Sequence, residues 1–186
     1  MSMQVAESDS NKGWYVLRVT YQRELIAKHR LDELGVVSFV PTRLVRQGVA
    51  GARKVLRRKA LVHNYIFVYA DRATIDGIKQ FELPYLRYVM HTQDGVRQAM
   101  VVPEAQMRNF MVVTGTEDER LMLLSSEGLH LSQGSRVRVT GGLFAGAEGV
   151  LLKVPGARER RVVVQIEGVA AVATPRIEKE LLEIIK

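Results

Sequence analysis

The spacing of apolar and polar positions changes several times along this chain, and the changes mark its elements. Lys12 to Thr20 reads as a strand, with Trp14 and Val16, or Tyr15 and Leu17, on its faces and Val19 near its end. A helical spacing follows from Tyr21 to Leu34, where Ile26, Ala27, Leu31 and Leu34 form a stripe. Thr20 stands where an N-cap is needed, and Gly35 where a left-handed residue ends a helix. Val36 to Val45 is rich in β-formers, but Pro41 cannot donate to a ladder, so an edge or bulged strand is predicted. Ala60 to Tyr69 is the most β-prone run of the first half, and Arg72 to Glu82 has the spacing of a short helix. Leu86 to Met90 and Arg97 to Val102 form short strands around the turn dipeptide Asp94-Gly95. Pro103 then opens a helix to Val113, a position where its missing N–H costs nothing. The order β-α-β-β-α-β-β-α is of the α+β class, an antiparallel sheet flanked by helices.

Gly115 to His130 reads differently. It carries Glu117, Asp118, Glu119 and Glu127 against Arg120, with serines and glycines, and this predicts an exposed acidic linker. From Leu131 onward the pattern is short strands and glycine turns. Val137 and Val139 alternate with Arg136 and Arg138, and three further strands follow at Val150 to Val154, Val162 to Ile166 and Val169 to Thr174. This fits a small β-barrel. Ile177 to Lys186 reads as a short helix or an extended cap. The predicted organisation is a loose tail over 1–11, a first domain over 12–114, a linker over 115–130 and a barrel domain over 131–186.

Charge adds a functional hint. The chain of 186 residues has a formal net charge of +7. Between Leu34 and Ala70 there is no acid, while Arg43, Arg46, Arg53, Lys54, Arg57, Arg58 and Lys59 equal that whole excess. A single-sign stretch punctuated by Gly48 and Gly51 predicts a protruding basic hairpin suited to phosphate backbones or an acidic protein surface. No apolar run approaches the roughly 20 residues of a membrane span, and the polar start has no signal-peptide core, so a cytoplasmic protein is expected. Without any cysteine, disulfides, thiolate zinc sites and cysteine nucleophiles are excluded.

Catalytic motifs are missing. The loop Gly142 to Gly149 is glycine-rich but lacks the Lys-Ser/Thr of a phosphate loop, and its glycines are expected to serve tight turns. His29, His63, His91 and His130 have no metal-ligand spacing. No acid/base pair stands out. An enzyme is not expected, nor a cofactor.

Two segments resemble a known family. Lys12-Gly13-Trp14-Tyr15-Val16, followed later by Leu61-Val62-His63-Asn64-Tyr65-Ile66-Phe67-Val68, is similar to the N-terminal domain of NusG transcription elongation factors. Ser132 to Val150, with Gly141-Gly142, Phe144, Gly146 and Gly149, resembles the KOW motif of the same family. The departures point to a dedicated paralog. The family's Pro-Gly before the tyrosine is His63-Asn64 here, and an Asn at that place also occurs in RfaH-like paralogs. The capsule-operon antiterminators called UpxY share this small, basic layout.

The resemblance implies an antitermination factor of specific operons, such as those for capsular polysaccharide. A general elongation factor and a KOW-type ribosome- or RNA-binding protein are the alternatives. It implies that Trp14, Val62 and Tyr65 meet the clamp helices of RNA polymerase. The basic residues Arg53, Lys54, Arg57, Arg58 and Lys59 would then face upstream DNA or the displaced non-template strand. Phe144 would anchor a partner of the KOW domain, which in NusG is the termination factor Rho or a ribosomal protein. Two further family aromatics fall at Ala147 and Glu167, which argues against both of those partners here. Val162-Val163-Val164 favours a stable barrel with no helical form. A monomer is expected, because no heptad or interface stripe appears.

Overall fold

A computed structural model describes residues 12–48, 55–125 and 131–185. In chain order its elements are β1 (Gly13–Arg18), α1 (Glu24–Glu33), β2 (Ser38–Phe39), β3 (Thr42–Gln47), β4 (Val55–Ala60), β5 (Tyr65–Ala70) and α2 (Arg72–Phe81). There follow β6 (Arg87–Tyr88), β7 (Met90–Gln93), β8 (Val96–Ala99), β9 (Val101–Val102) and α3 (Glu104–Thr114). The rest is strand: β10 (Met122–Leu124), β11 (Ser135–Val139), β12 (Glu148–Lys153), β13 (Arg160–Ile166), β14 (Ala170–Ala173) and β15 (Leu182–Ile184). The α+β class is as expected. The chain forms two compact units, one from the described residues up to Val40 with His63–Glu104, the other from Pro41–Val62 with the described residues from Ala105 on. The division thus groups the basic hairpin with the later strands rather than with residues 12–40.

In the first unit an antiparallel sheet runs in the order β2-β5-β1-β6, with β9 also paired to β1. Ile66, Phe67 and Val68 in β5 have no exposure, so both faces of the sheet centre are covered. α2 is capped by Asp71, whose carboxylate accepts the Thr74 N–H at 2.8 Å, and it buries Ile75 and Ile78. That backbone hydrogen bond from Thr74 holds the Asp71 carboxyl below its ordinary range. The Tyr88 hydroxyl donates to Asp76 of α2 at 3.0 Å, and the Tyr88 and Tyr15 rings lie 5.8 Å apart. The predicted hairpin at Asp94-Gly95 forms, with both residues at positive φ (51° and 78°).

The start of α1 differs from expectation. Thr20 does not cap it, because Tyr21 (φ 60°) and Gln22 (φ 54°) turn left-handed and delay the helix to Glu24. The rotation this imposes buries Glu24, Ala27 and Leu31 and leaves Ile26, expected in the stripe, 64% exposed. Gly35 ends the helix at φ 70°, as its position predicts.

In the second unit β3 and β4 form the predicted basic hairpin, with Thr42 opposite Ala60 and Gln47 opposite Val55. The other strands make one antiparallel sheet in the order β10-β14-β13-β12-β11-β15. No closed barrel is found among the described residues. The outer strands β10 and β15 have three residues each and pair on one side only, so the sheet stays open. Part of the expected linker is ordered: Leu121 is buried, and Met122 to Leu124 is the strand β10 paired to β14. The expected cap over 177–186 resolves into a 3-10 turn, Lys179–Leu181, leading into β15.

Candidate functional site

Antiparallel register decides which side chains share a face. On β1 and β5, Trp14 lies opposite Tyr69 and Arg18 opposite Tyr65. These four therefore share one face, with Val16 and Phe67 buried at its centre. The Trp14 and Tyr69 rings are tilted at 47°, with centroids 5.4 Å apart, and Tyr69 is 39% exposed. Trp14 and Tyr65 are half-buried at opposite ends of the face, about 13 Å apart at the usual rise of a strand. Arg18 is also opposite Arg87 of β6, so Tyr65, Arg18 and Arg87 form a row across three strands. Val62 is different. It is only 4% exposed and belongs to the core of the second unit, so its side chain offers no surface to a partner. Tyr69 was missed at the sequence level, although the alternation Tyr65, Phe67, Tyr69 signals it.

The turn before β5 accounts for one departure from the family pattern. Asn64 has φ 67°, a region that glycine takes freely and asparagine tolerates better than other residues. Its N–H donates to the Glu24 carboxylate at 2.5 Å, and its carbonyl accepts from Val19 N–H at 2.9 Å. Glu24 is 2% exposed, so a buried acid of α1 fixes the turn that aims Tyr65.

On the basic hairpin the register separates the charges. Arg43, Arg57 and Lys59 lie on one face, and Thr42, Arg46 and Arg58 on the other. Arg57 and Lys59 are exposed. Arg58 is engaged, its Nε 2.5 Å and Nη2 3.1 Å from the two oxygens of Glu117, which also accepts a hydrogen bond from the Thr42 hydroxyl. Arg53 and Lys54 lie outside the described residues. Burial raises the Glu117 carboxyl, but the bonds from Thr42 and Arg58 outweigh it and hold the group below its ordinary range. A group lowered in the folded state stabilises above its unfolded pKa and loses that contribution as pH falls through the folded one. The hairpin tether is therefore complete at neutral pH and fades below about pH 4. Acid unfolding followed by circular dichroism is expected to start at higher pH in the wild type than its stability at pH 7 alone implies, and Glu117→Gln removes this pH-dependent component. With Arg58 60% exposed, the tether contributes about 1 kcal/mol or less.

A further cluster was not legible in the sequence as a unit. The Arg23 guanidinium lies 5.4 Å from the Tyr21 ring centroid and 5.1 Å from that of Tyr85. Tyr21 is 83% exposed and left-handed, an unusual combination for a bulky residue. Burial raises the Tyr85 hydroxyl pKa against the opposing effect of Arg23. In the second unit, Phe144 is 6% exposed and Ala147 is fully buried, inside a loop turned by Gly142 (φ 76°) and Gly146 (φ 86°). The anchor expected at Phe144 is thus a core side chain, and its neighbour Leu143, 62% exposed, is the apolar residue that loop presents. Among the described residues no group of three or more His, Asp or Glu is placed to hold a metal ion.

A family model described as "Transcription termination factor nusG" matches residues 12–111, more than half of the chain and all of the first unit's elements. The chain belongs to the NusG family. NusG-family proteins are transcription factors that regulate elongation and termination and interact with RNA polymerase. A solved structure described as "Domain interaction in Thermotoga maritima NusG" aligns over 95% of this chain and 99% of that one, at 20% identity and a TM-score of 0.45. No curated protein matches. This NusG-family chain contains no helix long and apolar enough to cross a membrane among the described residues.

Proposed function

We propose that this NusG-family protein is a specialised antitermination factor that docks on the polymerase clamp helices through the Trp14–Tyr69 and Tyr65 face of its first unit. The observation that carries this reading is one sheet face with the tilted Trp14–Tyr69 pair at one end, Tyr65 beside Arg18 and Arg87 at the other, and buried Val16 and Phe67 between them. Flat aromatics with a polar tip bury large area at low entropic cost and are the usual anchors of interfaces. Arg43, Arg57 and Lys59 on one hairpin face supply sequence-independent phosphate contacts to upstream DNA or the non-template strand. Tyr21, stacked on Arg23 and open to solvent, offers a ring on which an unpaired base stacks. A factor that binds the elongating polymerase better than the paused one shifts the population toward elongation without making or breaking a bond. The replacements at His63-Asn64, Ala147 and Glu167 support a dedicated role at particular operons over a general one.

Tyr65→Ala in the full chain is expected to weaken binding to core RNA polymerase by about 2 kcal/mol, roughly thirtyfold, and to abolish read-through of a pause site in transcription assays. Unchanged affinity in a folded variant overturns the clamp reading.

A further inference from the structure

The open sheet of the second unit leaves an apolar groove of about 580 Å³ next to β15. Val137, Leu151, Leu182 and Ile184 form its floor, and Arg160 and Lys179 stand on its rim. Register explains the shape. Val137 lies opposite Ile184 and Val139 opposite Leu182, so the β15 side chains continue the apolar face of β11. Nothing beyond β15 covers them among the described residues, and Ile184 is 78% exposed.

Two further features define what fits. First, the Ile185 N–H donates to Arg136 and the Thr140 N–H to Leu181, so alternate residues of this edge bond inward to β11. By the alternation of an antiparallel ladder, the backbone groups of Ile184 and the carbonyl of Leu182 point outward. They have no partner among the described residues. Second, the rim is positive. Arg176 and one acid, Glu159, also line the groove and offset each other at 3.0 Å, with Glu178 a second partner of Arg176 at 3.3 Å, which leaves Arg160 and Lys179 as the net charge. Arg160 and Lys179 are exposed and have no ion pair among the described residues. Glu183 lies on the other face of β15 and reaches Arg138 at 3.5 Å.

We infer that this groove captures an extended acidic and apolar segment of a partner protein, which adds as a strand to the free edge of β15. Backbone bonds to Ile184 and Leu182 supply affinity, alternate apolar side chains fill the groove, and carboxylates meet Arg160 and Lys179. The site is distinct from the aromatic face proposed for polymerase, and its test does not depend on that reading.

The test is an NMR titration of the full chain with two capped ten-residue peptides, one alternating Val and Glu, the other alternating Val and Lys. The Glu peptide is expected to shift the amides of Leu182, Ile184 and Arg160, and to bind at least tenfold more tightly than the Lys peptide. Ile184→Asp is expected to weaken it about tenfold, with Ile184→Ala as the milder variant should the first not fold. Arg160→Glu combined with Lys179→Glu is expected to reverse the preference. Absence of shifts at about 1 mM peptide, equal binding of both peptides, or shifts lying away from β15 each overturn the proposal.

Discussion

Glu24→Ala is expected to lower the stability of the first unit by about 2–4 kcal/mol, a large part of the 5–15 kcal/mol typical of a domain. The carboxylate is buried at 2% exposure and accepts the Asn64 N–H at 2.5 Å. Charge-assisted bonds of this kind contribute about twice as much as neutral ones. Alanine leaves the N–H of a left-handed residue buried without an acceptor, so its desolvation cost adds to the lost bond. Glu24→Gln keeps an oxygen in place and is expected to cost about half as much. Asn64→Gly removes the side-chain strain at φ 67° and is expected to be tolerated. Urea unfolding of the full chain, followed by Trp14 fluorescence, measures all three. A loss below about 1 kcal/mol in Glu24→Ala contradicts the account. On the docking proposed above, the turn also aims Tyr65, and the same variant then weakens polymerase binding even where it remains folded.

Gly149→Ala is expected to destabilise the second unit by about 3 kcal/mol. Glycine is needed here for close approach and not for a positive φ. A Cβ at Gly149 would sit 2.5 Å from the Val163 carbonyl oxygen and 2.9 Å from Val162 Cγ1. The first obstacle is backbone of the neighbouring strand, so β12 and β13 must separate to admit one methyl group. Gly77→Ala is the contrasting case. It lies inside α2 with nothing within 4 Å of the added carbon, and it is expected to gain about 0.5–1 kcal/mol. Calorimetry on the two variants should move in opposite directions.

The elements legible in the sequence were those set by local chemistry. β1, α2, the Asp94-Gly95 hairpin, the basic hairpin and Gly35 each carry their own signal in a turn dipeptide, a cap or an unbalanced charge. What escaped depends on partners distant in sequence. The left-handed pair Tyr21-Gln22 has no glycine to announce it, and it moved the start of α1 and its buried face. Val62 and Phe144 look like surface anchors when matched to a motif, but burial is decided by the whole fold. The acidic stretch after Gly115 read as a linker because its polar composition hides two uses, Glu117 tying the hairpin and Leu121 to Leu124 entering the fold. Arg58 belonged to a charge run in sequence, and only pairing register separates it from Arg57 and Lys59.

Arg18 and Arg87 stand directly opposite each other on adjacent strands, with no acid in the row they share with Tyr65. Like charges so placed repel, and the repulsion grows as salt is removed. The melting temperature of the first unit is therefore tied to the anions in its buffer. Dilute chloride leaves the pair unscreened, whereas sulfate, heparin or a nucleic acid strand that binds there raises the transition by mass action. A thermal-shift series run from low to high ionic strength thus reads this internal repulsion as a transition that climbs with salt.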